Sequence, residues 1–123
     1  MKVLALDYGS ARTGVAVSDP TGTIARPLGV VERAATDAGL SRLRELISAE
    51  TPDRVVVGLP LTLRGERGEQ AEETERFVET LRGAIDVPIE CYDERFTSVL
   101  AEGDDARAAA HLLASYLEWS RDR

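Results

Sequence analysis

The spacing of the first three apolar segments constrains the fold more than any other feature of this sequence. The segments span residues 2–7, 13–18 and 28–31, and their residues are compatible with β-strands. Only five residues separate the first two segments, and an Asp-Pro-Thr-Gly turn signal closes the second. We therefore predict a three-stranded antiparallel meander. This excludes a plain doubly wound fold, which needs a helix between its first two strands.

Helices and strands alternate through the rest of the chain. The predicted helices share an apolar period near 3.6 residues and span about 36–50, 69–82 and 105–120, with a short helical turn at 98–102. Two further strands are predicted at 54–59 and 87–92, and the first is apolar on both faces, as in a buried parallel strand. The order β-β-β-α-β-α-β-α predicts an α/β fold, a mixed five-stranded sheet flanked by helices on both faces.

The size and composition of the chain fit one small domain. Its 123 residues can bury a core of their own, and 43% of them are apolar, an ordinary globular value. No apolar stretch approaches the ~20 residues of a membrane-spanning helix. Asp7 interrupts the first apolar run too early for a signal peptide. We expect a single domain over residues 1–123 with no membrane partner.

Cys91 is the only cysteine, so the chain cannot form an internal disulfide. This usage is typical of a reducing compartment, and we expect a cytoplasmic protein. Cys91 lies within the strand predicted at 87–92, and its simplest interpretation is a buried residue of that strand.

The net charge of −7 argues at first against a nucleic-acid partner, but the charge is unevenly distributed. Residues 1–64 carry 8 basic and 7 acidic residues, whereas residues 65–123 carry 7 basic and 15 acidic residues. The acids cluster between Glu66 and Glu79 and again between Asp93 and Asp105. We interpret the first cluster as a solvated helix face. The second is a candidate metal site, where bound cations would reverse the local field.

Acidic residues end two of the predicted strands. Asp7 ends the first strand, and Asp93 and Glu94 end the fifth. Because these strands are predicted to be parallel, both ends lie at one edge of the sheet, where ligand sites of α/β folds form. Simpler interpretations exist for each. Asp7 can form an Asx turn, and Arg95 can pair with the adjacent acids.

Asp105 lies on the inward face of the last predicted helix. The other members of that stripe are apolar: Ala109, Leu112, Leu113, Tyr116 and Leu117. Asp104 instead shares a face with Ala108 and His111. An inward acid at a helix start can simply cap exposed N–H groups, or it can reach over the sheet toward Asp7.

Three separated acids that converge at one edge would form a site of oxygen ligands only. Such ligands suit Mg²⁺ or Mn²⁺. Two such ions ~4 Å apart can activate a water and stabilise the leaving oxygen of a phosphodiester. The chain has one His and one Cys, which is too few for a zinc site.

Three arginines are candidate contacts for a nucleic-acid backbone. Arg12 follows the turn after the first strand, and Arg64 and Arg67 lie in a polar, Gly-containing loop over 60–68. Each can bind phosphate, and each can equally be a solvated surface residue.

Four segments, in order along nearly the whole chain, resemble motifs of the YqgF/RuvX family. They are Leu6-Asp7-Tyr8-Gly9 with residues 13–19, Val57-Gly58-Leu59-Pro60, residues 93–98 (Asp-Glu-Arg-Phe-Thr-Ser), and Asp105 with the apolar positions of the last helix. The resemblance implies an RNase H-like fold, whose element order is the one predicted above. It also implies a metal-dependent nuclease related to the resolvase RuvC.

The resemblance also implies roles for single residues. The implied catalytic acids are Asp7, Asp105 and, at the end of the fifth strand, Asp93 or Glu94, of which we choose Glu94. The implied ligands of Mg²⁺ or Mn²⁺ are Asp7, Asp93, Glu94 and Asp105. The expected nucleic-acid contacts are Arg12, Arg64, Arg67 and Arg95. Family members are described as nucleases that mature the 5′ end of pre-16S ribosomal RNA and as proposed Holliday junction resolvases.

One segment departs from the family pattern. Relatives usually carry a longer, basic segment before the last-helix acid, whereas residues 100–104 are all that remains here.

Several functions remain possible for this chain. The leading hypothesis is a nuclease of structured RNA such as pre-rRNA, which acts as a monomer or weak homodimer. A resolvase of branched DNA would need a symmetric dimer. The short segment and the net acidity instead favour a non-catalytic binding module. An actin-type ATPase would need two lobes, and 123 residues supply one.

Overall fold

The computed structural model describes residues 1–61, 64–66, 68–94 and 104–121. Within these ranges five strands and three helices follow the predicted order. They are β1 (Val3–Asp7), β2 (Arg12–Ser18), β3 (Ala25–Glu32), α1 (Asp37–Glu50), β4 (Arg54–Leu59), α2 (Glu69–Arg82), β5 (Ile89–Asp93) and α3 (Asp105–Arg121). The helical turn predicted at 98–102 lies outside the described residues.

The observed bounds differ most from the predicted ones at β3. This strand begins at Ala25 rather than at residue 28, and it contains Pro27. Because β3 is an edge strand, the missing N–H of Pro27 need not remove a hydrogen bond of the ladder. Pro27 is unfavourable in most strands, so the sequence did not predict that β3 already begins at Ala25.

The strands form one sheet in the order β3-β2-β1-β4-β5. β2 runs antiparallel to both β1 and β3, whereas β1, β4 and β5 are parallel. The predicted mixed five-stranded sheet is confirmed. Its central strand, β1, therefore ends beside the carboxyl ends of β4 and the beginning of β2.

Helices cover both faces of this sheet, as predicted. Leu4 and Leu6 of β1 pack in one apolar cluster with residues of α1 and α2. Val3 and Ala5, which alternate with them, pack in a second cluster against α3. The inward stripe predicted for α3 is buried at Ala109, Leu112, Leu113, Tyr116 and Leu117. Strand alternation thus decides which helix each β1 side chain meets.

Two local predictions can be compared directly with the structure. Thr36 caps α1, since its hydroxyl accepts the N–H of Gly39 at 3.2 Å. The expectation that Cys91 is buried is wrong, because its side chain is exposed. Cys91 lies on β5, and this edge strand has a neighbouring strand on one side only. In the part of the chain that the structure describes, no helix combines the length and apolar character of a membrane span.

Candidate active site

Strand alternation places Asp7 on the face of the sheet that α3 covers. It follows Val3 and Ala5 at two-residue spacing and pairs in register with Gly14 of β2. Burial raises the pKa of Asp7, and the nearby negative charge of Asp105 raises this pKa further. A partly buried carboxyl group therefore stands at the end of the central strand, and its ionised form is destabilised.

Glu94 follows β5 and lies over the carboxyl end of β4. A Cβ added at Gly58 would come within 2.6 Å of Glu94 Oε2, so the glycine leaves the space that this carboxylate occupies. Burial raises the pKa of Glu94 to about 7, and the charges of Asp7 and Asp93 contribute to the shift. The acids at the ends of β1 and β5 are thus close enough to repel each other.

The first turn of α3 approaches the sheet closely at Gly14. A Cβ at this position would overlap the backbone carbonyl oxygen of Asp105. The two acids at this helix start have different partners. Asp104 caps α3, since its Oδ1 accepts the N–H of Arg107 at 3.0 Å. Asp105 is therefore not needed as the cap, and its charge instead acts on Asp7.

Arg12 joins the site through Asp105. Its Nε donates to Asp105 Oδ2 at 2.8 Å, while 59% of the arginine side chain stays exposed. The structure thus places this candidate nucleic-acid contact at the rim of the acidic site. Its guanidinium binds one acid of the site and also faces solvent.

A cavity of about 250 Å³ opens beside these acids. It is lined by Asp7, Tyr8, Gly9, Ser10, Pro60, Gln70, Glu73, Thr74 and Glu94. Glu73 was not predicted as a site residue, because the acids from Glu66 to Glu79 were interpreted as a solvated helix face. The sequence signal that could have identified Glu73 is its position on the helix. Glu73 directly precedes the buried Thr74, and Gln70 and Phe77 lie three and four residues away on either side.

The donor set suits a divalent cation by its chemistry. Asp7 and Glu94 supply carboxylate oxygens, the ligands that Mg²⁺ and Mn²⁺ prefer. Neither forms an ion pair with a cationic side chain of the described residues. Across those residues no three His, Cys, Asp or Glu side chains already form a set of metal ligands. A cation would relieve the repulsion between Asp7 and Glu94. The charge of Asp105 also acts on Asp7, while the Oδ2 of Asp105 is bonded to Arg12.

The other predicted site residues have different positions. Asp93 is the last residue of β5, opposite Leu59 of β4, and its charge acts on Glu94. Arg64 is exposed, and it forms no ion pair with an acid of the described residues. Arg67 and Arg95 lie outside the described residues.

Comparison with protein families gives a match over almost the whole chain. The family model for RuvX, described as Holliday junction resolvase, matches residues 1–119. A Chloroflexus aurantiacus protein named "Putative pre-16S rRNA nuclease" is 48% identical over 100 residues, which are 81% of this chain and 65% of that relative. A Syntrophomonas wolfei protein of the same name is 35% identical over 133 residues, covering 96% of this chain and 94% of the relative.

The lengths of these alignments bear on the departure noted in the sequence. The matched region spans about 65% of the length of the Chloroflexus relative. The alignment with the Syntrophomonas protein has 133 positions, more than the 123 residues of this chain. That relative therefore carries residues with no counterpart here.

Solved structures show the same fold at low sequence identity. The RuvC of Thermus thermophilus in complex with a Holliday junction substrate gives a TM-score of 0.60 at 18% identity, covering 99% of this chain and 96% of that one. The fowlpox virus resolvase with its Holliday junction DNA gives 0.58 at 12% identity, covering 98% and 99%. The RNase H-like fold predicted from the sequence is confirmed.

Proposed function

The chain belongs to the RuvX family, and from that membership we propose that it is a metal-dependent nuclease that hydrolyses phosphodiester bonds in structured RNA. One observation carries the proposal. Asp7 and Glu94 stand at the carboxyl ends of β1 and β5 with raised pKa values and with no ion-pair partner among the described residues. An arrangement that costs stability and also suits a divalent cation is typical of a functional site.

Asp7, Glu94 and Asp105, with Asp93 beside them, are the residues that would hold Mg²⁺ or Mn²⁺. When bound, a pair of such ions supplies positive charge for the developing charge of the phosphodiester and lowers the pKa of a water. This chain's own residues prepare the site. Gly58 leaves room for Glu94, and the close approach at Gly14 fixes the start of α3, which carries Asp105.

Arg12 has a second role in this proposal. Its guanidinium holds Asp105 through Nε, and its exposed side can contact a backbone phosphate. Such a contact, together with the cations, would offset the repulsion between nucleic acid and a chain of net charge −7. Arg64, Arg67 and Arg95 remain further proposed contacts.

We propose precursor 16S ribosomal RNA as the substrate, cut at its 5′ end. The name shared by the relatives from Chloroflexus and Syntrophomonas supports this choice. Cleavage of branched DNA is the second candidate, supported by the description of the matching family. We propose that the nuclease acts in the cytoplasm as a monomer or weak homodimer. Resolution of a junction would instead require a symmetric dimer, because it needs paired cuts.

The direct test compares cleavage of a labelled pre-16S RNA leader and a four-way DNA junction in EDTA, Mg²⁺ and Mn²⁺. Asp7→Asn removes a proposed ligand, whereas Asp86→Asn makes the same change at an exposed residue of the loop before β5. Loss of a residue that only hydrogen-bonds to a metal ligand lowers metal affinity or activity by about 10–100-fold. Because Asp7 is itself a proposed ligand, we expect Asp7→Asn to lower the cleavage rate by at least on the order of 100-fold. Asp86→Asn should cut like the parent.

Three results would change the proposal in different ways. Preference for the junction would select the resolvase. Cleavage that persists in EDTA would show that the protein cuts without a divalent metal ion. Absence of cutting on both substrates, with a folded protein by circular dichroism, would favour a non-catalytic nucleic-acid-binding module.

A further inference from the structure

The cavity beside the acids extends beyond the proposed metal ligands. Asp7 and Glu94 form one side of it, on the face of the sheet that α3 covers. The other side comes from α2 through Gln70, Glu73 and Thr74. These α2 residues have no part in the mechanism above. The cavity therefore offers a second set of polar groups next to the position where a phosphodiester would bind.

Tyr8 and Glu73 are the defining groups of that second side. The Tyr8 ring stacks on Phe77 with centroids 4.4 Å apart and an interplanar angle of 17°, which fixes its position. Its hydroxyl donates to Glu73 Oε1 at 3.4 Å, a long hydrogen bond. No other hydrogen bond or ion pair of the Glu73 side chain occurs among the described residues. This half-buried carboxylate retains accepting capacity in a cavity that Tyr8 also lines.

An acceptor carboxylate, an amide and an aromatic ring are the groups that recognise an unstacked nucleobase. Proteins read single-stranded RNA by stacking bases on aromatic side chains and by hydrogen bonds to their Watson–Crick edges. A carboxylate can only accept, through two oxygens. The Watson–Crick edge of guanine presents two neighbouring donors, N1–H and N2–H, which match those oxygens. The amide of Gln70 can donate to guanine O6. Adenine, cytosine and uracil lack this pair of adjacent donors.

We infer that the Tyr8–Gln70–Glu73 side of this cavity binds one unstacked guanine next to the scissile phosphate. The inference rests on the proposed nuclease function. It predicts that the substrate carries a guanine beside the cleavage site. A volume of about 250 Å³ suits one base rather than a stacked pair. Glu73 would act here as a specificity residue and would not be a metal ligand.

The test measures binding of guanosine, inosine and adenosine 5′-monophosphates by calorimetry in Mg²⁺, independently of cleavage. Inosine lacks only the N2 amine of guanosine. Hydrogen bonds to a charged group are worth enough that we expect guanosine monophosphate to bind about tenfold or more tightly than the other two. Glu73→Gln should abolish that difference. Glu72→Gln, the same change at an exposed position of α2, should keep it.

Mg²⁺ affinity, measured in the same variants without nucleotide, separates the two possible roles of Glu73. Unchanged Mg²⁺ affinity in Glu73→Gln supports base recognition. A loss as large as that of Glu94→Gln would make Glu73 a metal ligand and overturn the inference.

Cleavage assays separate this inference from the proposed function. RNAs with guanosine, inosine or adenosine on either side of the mapped cut should be cleaved in the order of the nucleotide affinities. Equal binding of all three nucleotides with active cleavage would overturn the guanine site alone. Selective guanosine binding without cleavage of any substrate would overturn the nuclease and retain the guanine site.

Discussion

The two ends of the parallel strands treat their acidic residues in opposite ways. At the amino ends, Glu90 of β5 accepts hydrogen bonds from Arg54 at 3.0 Å and from Tyr116 at 2.9 Å. At the carboxyl ends, Asp7 and Glu94 have raised pKa values and no ion pair with a described residue. The same kind of side chain is thus compensated at one end of the sheet and crowded at the other.

The acids at the amino ends of the strands are the ones that stabilise the fold. The amino end repeats the pattern at Glu50, whose carboxylate pairs with Lys2 at 3.2 Å. Asp53 likewise accepts the backbone N–H of Lys2 at 2.8 Å. Paired acids contribute modestly to stability, whereas partly buried acids without a partner cost free energy. Neither Asp7 nor Glu94 gains such stability from an ion pair with a described residue, which supports their proposed role as metal ligands.

The largest effect is expected from Gly14→Ala, which disturbs the site at the carboxyl ends of the parallel strands. The added Cβ meets the backbone of Asp105, and rotation of a side chain cannot relieve a backbone clash. We expect urea unfolding to show a loss of about 3 kcal/mol. Gly29→Ala is the matched control, since nothing lies within 4 Å of its added Cβ, and it should change stability by less than about 1 kcal/mol. Equal losses in both variants would mean that α3 does not dock at Gly14.

A smaller effect of opposite sign is expected from Glu94→Gln in metal-free protein. Glu94 has a pKa of about 7, above its usual value of 4.5, so the folded state holds the proton more tightly than the unfolded state. Its ionisation therefore removes stability as the pH rises from 4.5 to 7. Above pH 8, in EDTA, the variant should be more stable by on the order of 2 kcal/mol. Below pH 4.5 the difference should vanish.

Added Mg²⁺ sharpens this prediction. A ligand at a hundred times its dissociation constant stabilises the folded state by about 2.7 kcal/mol. Mg²⁺ should therefore raise the free energy of unfolding of the parent protein more than that of the variant. A parent protein that is more stable than Glu94→Gln at pH 8 without metal would contradict the assignment of Glu94 as an uncompensated acid.

The smallest effect is predicted for Glu90→Gln, the same substitution at the other end of β5. It weakens the bonds from Arg54 and Tyr116, so we expect the protein to lose about 1 kcal/mol of unfolding free energy at pH 8. The comparison therefore predicts opposite signs for one substitution at two positions four residues apart. Chemical denaturation of both variants in one buffer measures this, and stabilisation by Glu90→Gln would remove the distinction between the two ends.

Much of this arrangement could be predicted before the structure was known. The apolar stripe of α3 placed Asp105 on the inward face, and strand ends placed Asp7 and Glu94 at one edge of the sheet. The strand that contains Cys91 was predicted correctly, but the burial of Cys91 was predicted wrongly, because a short apolar strand has the same local sequence in the middle of a sheet and at its edge. Glu73 was missed because its neighbours in sequence are also acidic, and only one of the two sides of α2 faces the cavity.

The amino-acid sequence alone was enough to predict the order of the elements, the inward faces of the helices and the acids that end the strands. These features depend on periodicity and on neighbours along the chain, which the sequence expresses directly. Two contacts could be known only from the three-dimensional structure: Arg12 pairs with Asp105, 93 residues away, and Glu94 lies over Gly58. Such contacts depend on how closely a helix end or a loop approaches the sheet, and that distance is set by packing of the whole core.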